Sequence, residues 1–129
     1  MPRRHPSTVA LVAWTFLVWT TRIRNVWTDA ALTTGEQWAR TALAASFTAL
    51  ALAVLVALLA GASWLRPAVG GLAAWSVVVW VVRSIGIATA DHRLGFVVVH
   101  LVLAVVSAVL GALAWREVAR ADARTPSAV

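Results

Sequence analysis

At 129 residues, 61% hydrophobic and only 12% charged, with a mean hydropathy of +0.84, the chain is too apolar for a water-soluble domain. Such a domain is about 45–50% apolar and roughly 25% charged, and at this size buries only about 60–70% of the surface its unfolded chain exposes. The lack of cysteine excludes disulfides, thiolate metal sites and thiol redox chemistry, and the net charge of +6, carried by 11 arginines and no lysine, forms no aromatic-interleaved basic face of the kind that binds nucleic acid.

The first apolar stretch covers about 8–28. Arg3 and Arg4 before it resemble the basic start of a secretory signal, but no small-x-small cleavage site follows, so this helix is expected to be retained. Three more stretches follow at about 41–60, 70–89 and 97–115. Each is near the roughly 20 residues that cross about 30 Å of hydrocarbon as a helix. Helices are expected because an open sheet leaves unpaired backbone groups in lipid. The connections are 29–40, 61–69 and 90–96, the middle one carrying the turn signals Gly61, Arg66 and Pro67. The tail from Arg116 to Val129 is charged, contains Thr125-Pro126-Ser127, and is expected to fray as a solvated extension.

A repeat ties these elements together. Displaced by 61 positions, Leu11, Ala13, Trp14, Val18, Trp19 and Arg22 fall on Leu72, Ala74, Trp75, Val79, Trp80 and Arg83, and Thr15 falls on Ser76. Matching aliphatic residues carries little weight in so apolar a chain; two tryptophans and an arginine at equal spacing carry more. With small insertions the echo continues through Asp29 and Asp91, then Gly35 and Gly95, then Arg40 and His100. The second and fourth helices agree only weakly. The expected fold is all-α: one membrane domain, a bundle of four transmembrane helices made of two tandem helical hairpins, about 8–60 and 70–115. Two spans per unit means both copies enter the membrane the same way, related by a pseudo-twofold axis along its normal.

Arginine placement sets the expected orientation. The end holding both termini and 61–69 carries Arg3, Arg4, Arg66, Arg116, Arg120 and Arg124; the other carries Arg22, Arg24, Arg40, Arg83 and Arg93. Arg22 and Arg83 lie inside their helices and count poorly as flank charges. The remaining excess places both termini in the cytoplasm of a multi-pass cell-membrane protein. Trp27, Trp38, Trp64 and Trp115 sit at span ends, where indole favours the interface.

The polar residues inside the spans are the candidate site. At 100° per residue, Leu11, Thr15, Val18, Arg22, Asn25 and Asp29 fall in one stripe of the first helix. In the third helix the same stripe is Leu72, Ser76, Val79, Arg83 and Gly86, with Asp91 just beyond. Arg24 points the other way and snorkels to the headgroups. A charge in a span costs about 2.5 kcal/mol or more and faces inward with a partner. The predicted cluster is Arg22, Asn25, Asp29 and Arg40 with Arg83, Asp91 and His100, at the end opposite the termini. Three readings stay open. The arginines pair with Asp29 and Asp91 as a structural clamp, or two guanidinium forks hold an anion, or the polar cap meets a partner protein. Trp14, Trp19, Trp75 and Trp80 are packing residues between the first and third helices, or the walls of a pocket for a flat ligand such as a quinone. His5, His92 and His100 offer no facing pair for haem, so no metal and no cofactor is expected.

No nucleophile–base pair, phosphate loop or metal-ligand spacing is present. Small multidrug transporters need a glutamate within the first span, but Glu36 and Glu117 lie outside the spans; quinone-linked disulfide oxidoreductases need cysteines; dual-topology fluoride channels carry a Gly-rich, Arg-containing motif that is missing. In composition and layout the chain resembles small four-pass integral membrane proteins of GC-rich actinobacteria, a group defined by its layout and carrying no activity to transfer. The leading expectation is a non-enzymatic membrane protein whose arginine-lined extracytoplasmic cap binds an anionic lipid or a membrane-protein partner. The alternatives are a small anion transporter or channel subunit, which needs a homo-oligomer to build a pore, and a membrane enzyme acting on a lipid or quinone, which has only Asp29, Asp91 and His100 for acid–base work.

Overall fold

The structure is a computed structural model and describes residues 4–124. Four helices follow one another: α1 (Pro6–Thr28), α2 (Thr34–Ala60), α3 (Leu65–Thr89) and α4 (Leu94–Ala123). Each packs on its neighbours in the order α1–α2–α3–α4 and α4 closes back on α1, forming a four-helix bundle.

Local chemistry explains the ends. Pro6 opens α1, where its missing N–H costs nothing. Thr33 caps α2 by accepting from the Glu36 amide at 3.2 Å, the hydroxyl-x-x-glutamate pattern of a capping box. At its far end Gly61 adopts φ 60°, and the Ala62 amide returns to the Ala57 carbonyl at 2.9 Å. That left-handed turn suits glycine and satisfies carbonyls the helix leaves open. Pro67 sits in the first turn of α3, where it removes no helical bond. Glu117 of α4 holds the start of α1. It accepts from the Ser7 amide (3.1 Å), the Thr8 amide (2.9 Å) and the Thr8 hydroxyl (2.7 Å).

The core runs along the inner stripes. Thr8, Leu11, Thr15, Val18 and Trp19 of α1 are buried, as are Val69, Leu72, Ser76, Val79 and Trp80 of α3. Phe47, Ala51 and Val54 of α2 and Gly111, Ala114 and Val118 of α4 fill the remainder. Small residues at these contacts let helix backbones approach closely. The outer surface is equally apolar, with Val78, Val82, Ile85, Val102 and Val105 exposed. Water-soluble monomers rarely show such a continuous apolar exterior.

Three helices, α2, α3 and α4, are long and apolar enough to cross a membrane. Four spans were expected. α1 has 23 residues, enough in length, but Arg22, Arg24 and Asn25 and the threonines at 8, 15, 20, 21 and 28 dilute its hydrophobicity. The tail also differs from expectation. α4 continues helically from Arg116 to Ala123. Val118 is buried there and Glu117 is tied to α1, so tertiary contacts hold the segment against fraying. Arg3 and Thr125-Pro126-Ser127 lie outside the described residues.

Candidate functional site

Trp19, Phe47 and Trp80 pack together beneath Arg22. Trp19 stacks on Phe47 with centroids 4.0 Å apart and planes 8° from parallel, and Trp80 meets Trp19 at 5.9 Å. Arg22, one turn beyond Trp19, is half-buried and lies over both indoles, 5.8 Å from the Trp19 ring and 5.6 Å from that of Trp80. The negative faces of the rings hold the guanidinium in place; away from water such a contact is worth about 2 kcal/mol. Arg83 is half-buried as well.

Two clefts open at the same end of the bundle. The larger, about 430 Å³, lies between α1 and α4. Arg22, Asn25, Asp29, Arg40 and His100 line its polar end, and Trp14, Leu17, Val18, Val99 and Leu103 its apolar length. The smaller, about 290 Å³, is lined by Arg40, Arg83, Gly86, Ile87, His92, Phe96 and His100. Arg40, Phe96 and His100 therefore border both, and Arg83 joins the cluster through them. The Phe96 ring sits between His92 (4.6 Å) and His100 (3.9 Å). His100 Nδ1 donates to the Phe96 carbonyl at 2.7 Å, which fixes the ring and leaves its other nitrogen for the clefts.

Of the residues expected in the cluster, Asp91 lines neither cleft, because it lies in the connection after α3 and is exposed. The clamp is not made. Among the described residues no arginine of the cluster has a carboxylate within 4.0 Å; the ion pairs are His5–Glu117 (3.9 Å) and Arg66–Asp122 (3.7 Å), at the terminal end. Asp29 instead accepts from the Ala31 amide at 2.9 Å, a turn closure that competes with pairing. Glu36 is exposed at the start of α2. Among the described residues no group of histidine and carboxylate side chains is placed to hold a metal.

The tryptophans divide into two roles. Trp19 and Trp80 meet across the bundle. Trp14 and Trp75 turn sideways instead: Trp14 Nε1 donates to Ser107 of α4 at 3.0 Å, and Trp75 Nε1 to Ser46 of α2 at 2.9 Å. Each serine donates onward to a carbonyl of its own helix, Leu103 and Leu43. Trp14 also lines the larger cleft, whereas Trp75 is exposed and lines neither. Sequence reasoning missed both serines, although they lie 61 positions apart, as Trp14 and Trp75 do. It also missed Phe96 and Phe47.

The chain matches no family model, no curated protein and no solved structure. Its chemistry is read from its own geometry: three arginines share one end of a bundle, and an apolar groove leads away from them.

Proposed function

We propose that this chain is a non-enzymatic membrane protein that holds the headgroup of an anionic lipid at Arg22, Arg40 and Arg83. The observation that carries the proposal is that Arg22 and Arg83 are half-buried in an apolar bundle with no carboxylate partner within 4.0 Å among the described residues. A charge taken out of water needs a counter-charge, and a phosphate accepts from guanidinium forks in the bidentate way they favour. The larger cleft favours a lipid over a free anion. Its polar end runs into an apolar wall from Val18 to Trp14 and Leu103, the polarity profile of a headgroup followed by an acyl chain. The Trp19, Phe47 and Trp80 rings fill the space below Arg22, which disfavours an anion pore through one copy.

The architecture behind this reading is four spans in a cell membrane, with both termini cytoplasmic and the site extracytoplasmic. α1 counts as a span because it packs along α2 and α4 and its first turn meets Glu117 in the last two turns of α4. Two tandem hairpins are supported by equivalent burial, Leu11, Thr15, Val18 and Trp19 against Leu72, Ser76, Val79 and Trp80. The exchanged Trp14–Ser107 and Trp75–Ser46 bonds fit the same relation.

Lipid extracted from the purified protein tests the function. The wild type is expected to retain anionic phospholipid through delipidating washes, and Arg22→Gln with Arg83→Gln to retain measurably less of it while keeping its helical circular dichroism. Equal retention by the folded variant, or retention of zwitterionic lipid alone, would refute the proposal. Phosphate or chloride flux in liposomes, abolished by the same pair, would replace binding with transport.

A further inference from the structure

The opposite end of the bundle holds a second basic cleft that the arginine cap does not use. It is about 500 Å³ in volume, and Arg4, Arg116, Arg120 and Arg124 line it, with Leu113 and Glu117. Arg116, Arg120 and Arg124 follow one another at intervals of four along α4, so they share one face. Like charges at that spacing destabilise a helix, yet α4 carries two such pairs in succession. Among the described residues none of the four arginines has a carboxylate within 4.0 Å. Glu117 offsets one of these charges but pairs directly with none of them, both its oxygens being engaged by the first turn of α1. Four arginines against one carboxylate leave the cleft with a net positive charge.

Its depth points to lipid. The apolar run of α4 ends at Trp115, and exposed Leu113 borders the cleft on the side of that run. Arg116 and Arg120 start where the hydrocarbon stops. Each helical residue rises about 1.5 Å, so these two side chains stand at headgroup height. Trp64 and Trp115, exposed at this end, mark the same interface. We infer that this cleft is a second lipid site, which seats the phosphate of an anionic phospholipid from the leaflet facing the terminal end. It is independent of the Arg22–Arg83 cluster, shares no residue with it, and stands whether or not that cluster binds lipid.

Native mass spectrometry of the full chain in mild detergent, titrated with phosphatidylglycerol and with phosphatidylcholine, tests the site. Near a membrane surface each arginine strengthens attachment to anionic lipid roughly fivefold, so Arg116→Gln with Arg120→Gln, compared in the Arg22→Gln with Arg83→Gln background, is expected to weaken phosphatidylglycerol binding about thirtyfold. Phosphatidylcholine binding should not change. Arg116→Lys with Arg120→Lys keeps the charge and should keep most of the preference, which guards against a loss caused by misfolding. Arg22→Gln with Arg83→Gln should leave this binding event intact. Unchanged phosphatidylglycerol affinity in the glutamine pair would overturn the inference. So would full displacement of the lipid by millimolar inorganic phosphate, which would mark a site for the free anion.

Discussion

Replacing Glu117 should unfasten the start of α1. The carboxylate accepts two backbone amides and the hydroxyl of Thr8, which is fully buried. It lies beyond the apolar run of α4, so magnitudes from water-soluble proteins apply. Losing a helix cap costs about 1 kcal/mol. Losing a negative charge at a helix N-terminus costs about 0.3–1 kcal/mol. Leaving a buried hydroxyl unpaired costs about 1–3 kcal/mol. Together Glu117→Ala should cost about 3 kcal/mol, close to a hundredfold in an opening equilibrium. Glu117→Gln keeps one oxygen acceptor and loses the charge, so it should cost about 1 kcal/mol. Amide hydrogen exchange in detergent, resolved to residues 7–12, reads this directly, since local opening sets exchange in helix ends. The first turn of α1 should exchange about a hundredfold faster in the alanine variant and a few-fold faster in the glutamine variant, with α3 unchanged. Exchange within a few-fold of wild type in Glu117→Ala, or equal effects of the two substitutions, would refute the reasoning.

Two adjacent glycines should answer oppositely to alanine. A Cβ on Gly71 meets nothing within 4 Å, so Gly71→Ala should stabilise α3 by about 0.5–1 kcal/mol, whereas a Cβ on Gly70 comes within 2.9 Å of the Trp115 ring, and Gly70→Ala should forfeit that gain; thermal unfolding followed by circular dichroism distinguishes them. A double-mutant cycle on Trp14→Phe and Ser107→Ala should give a coupling of about 0.6 kcal/mol, the average for hydrogen bonds between membrane helices. The cycle on Trp75→Phe and Ser46→Ala should match it within experimental error if the two hairpins are equivalent.

The number of helices was legible because each apolar run reaches the length lipid demands. Their ends were not, because hydropathy stops at the hydrocarbon and helices do not. α2 begins at Thr34 through the Thr33–Glu36 cap, well before the apolar run at 41, and α4 outlasts Trp115 because Val118 and Glu117 are held by tertiary contacts. For the site, helical spacing put Arg22, Asn25 and Asp29 together and the repeat added Arg40 and His100 at similar depth, and the structure lines one cleft with all five. The clamp of arginines on aspartates, one of the three readings left open, is not formed, because proximity in sequence says nothing of local competition. Asp29 closes a turn on Ala31, and Asp91 lies outside both clefts. Ser46 and Ser107 stayed hidden because a single serine in an apolar helix carries no signal until its tryptophan partner is seen.

The proposed contact of Arg22 and Arg83 with a lipid phosphate is open to direct measurement. Solid-state NMR on arginine-¹⁵N-labelled protein in phosphatidylglycerol bilayers, with recoupling to the lipid ³¹P, measures this contact. A guanidinium bonded to phosphate at about 2.7–2.9 Å from nitrogen to oxygen brings the two nuclei within dipolar range. Dephased arginine signals should be present in the wild type, and those of this site should vanish in Arg22→Gln with Arg83→Gln while those of Arg116→Gln with Arg120→Gln keep them. Identical dephasing in the wild type and the Arg22–Arg83 pair variant would contradict the account.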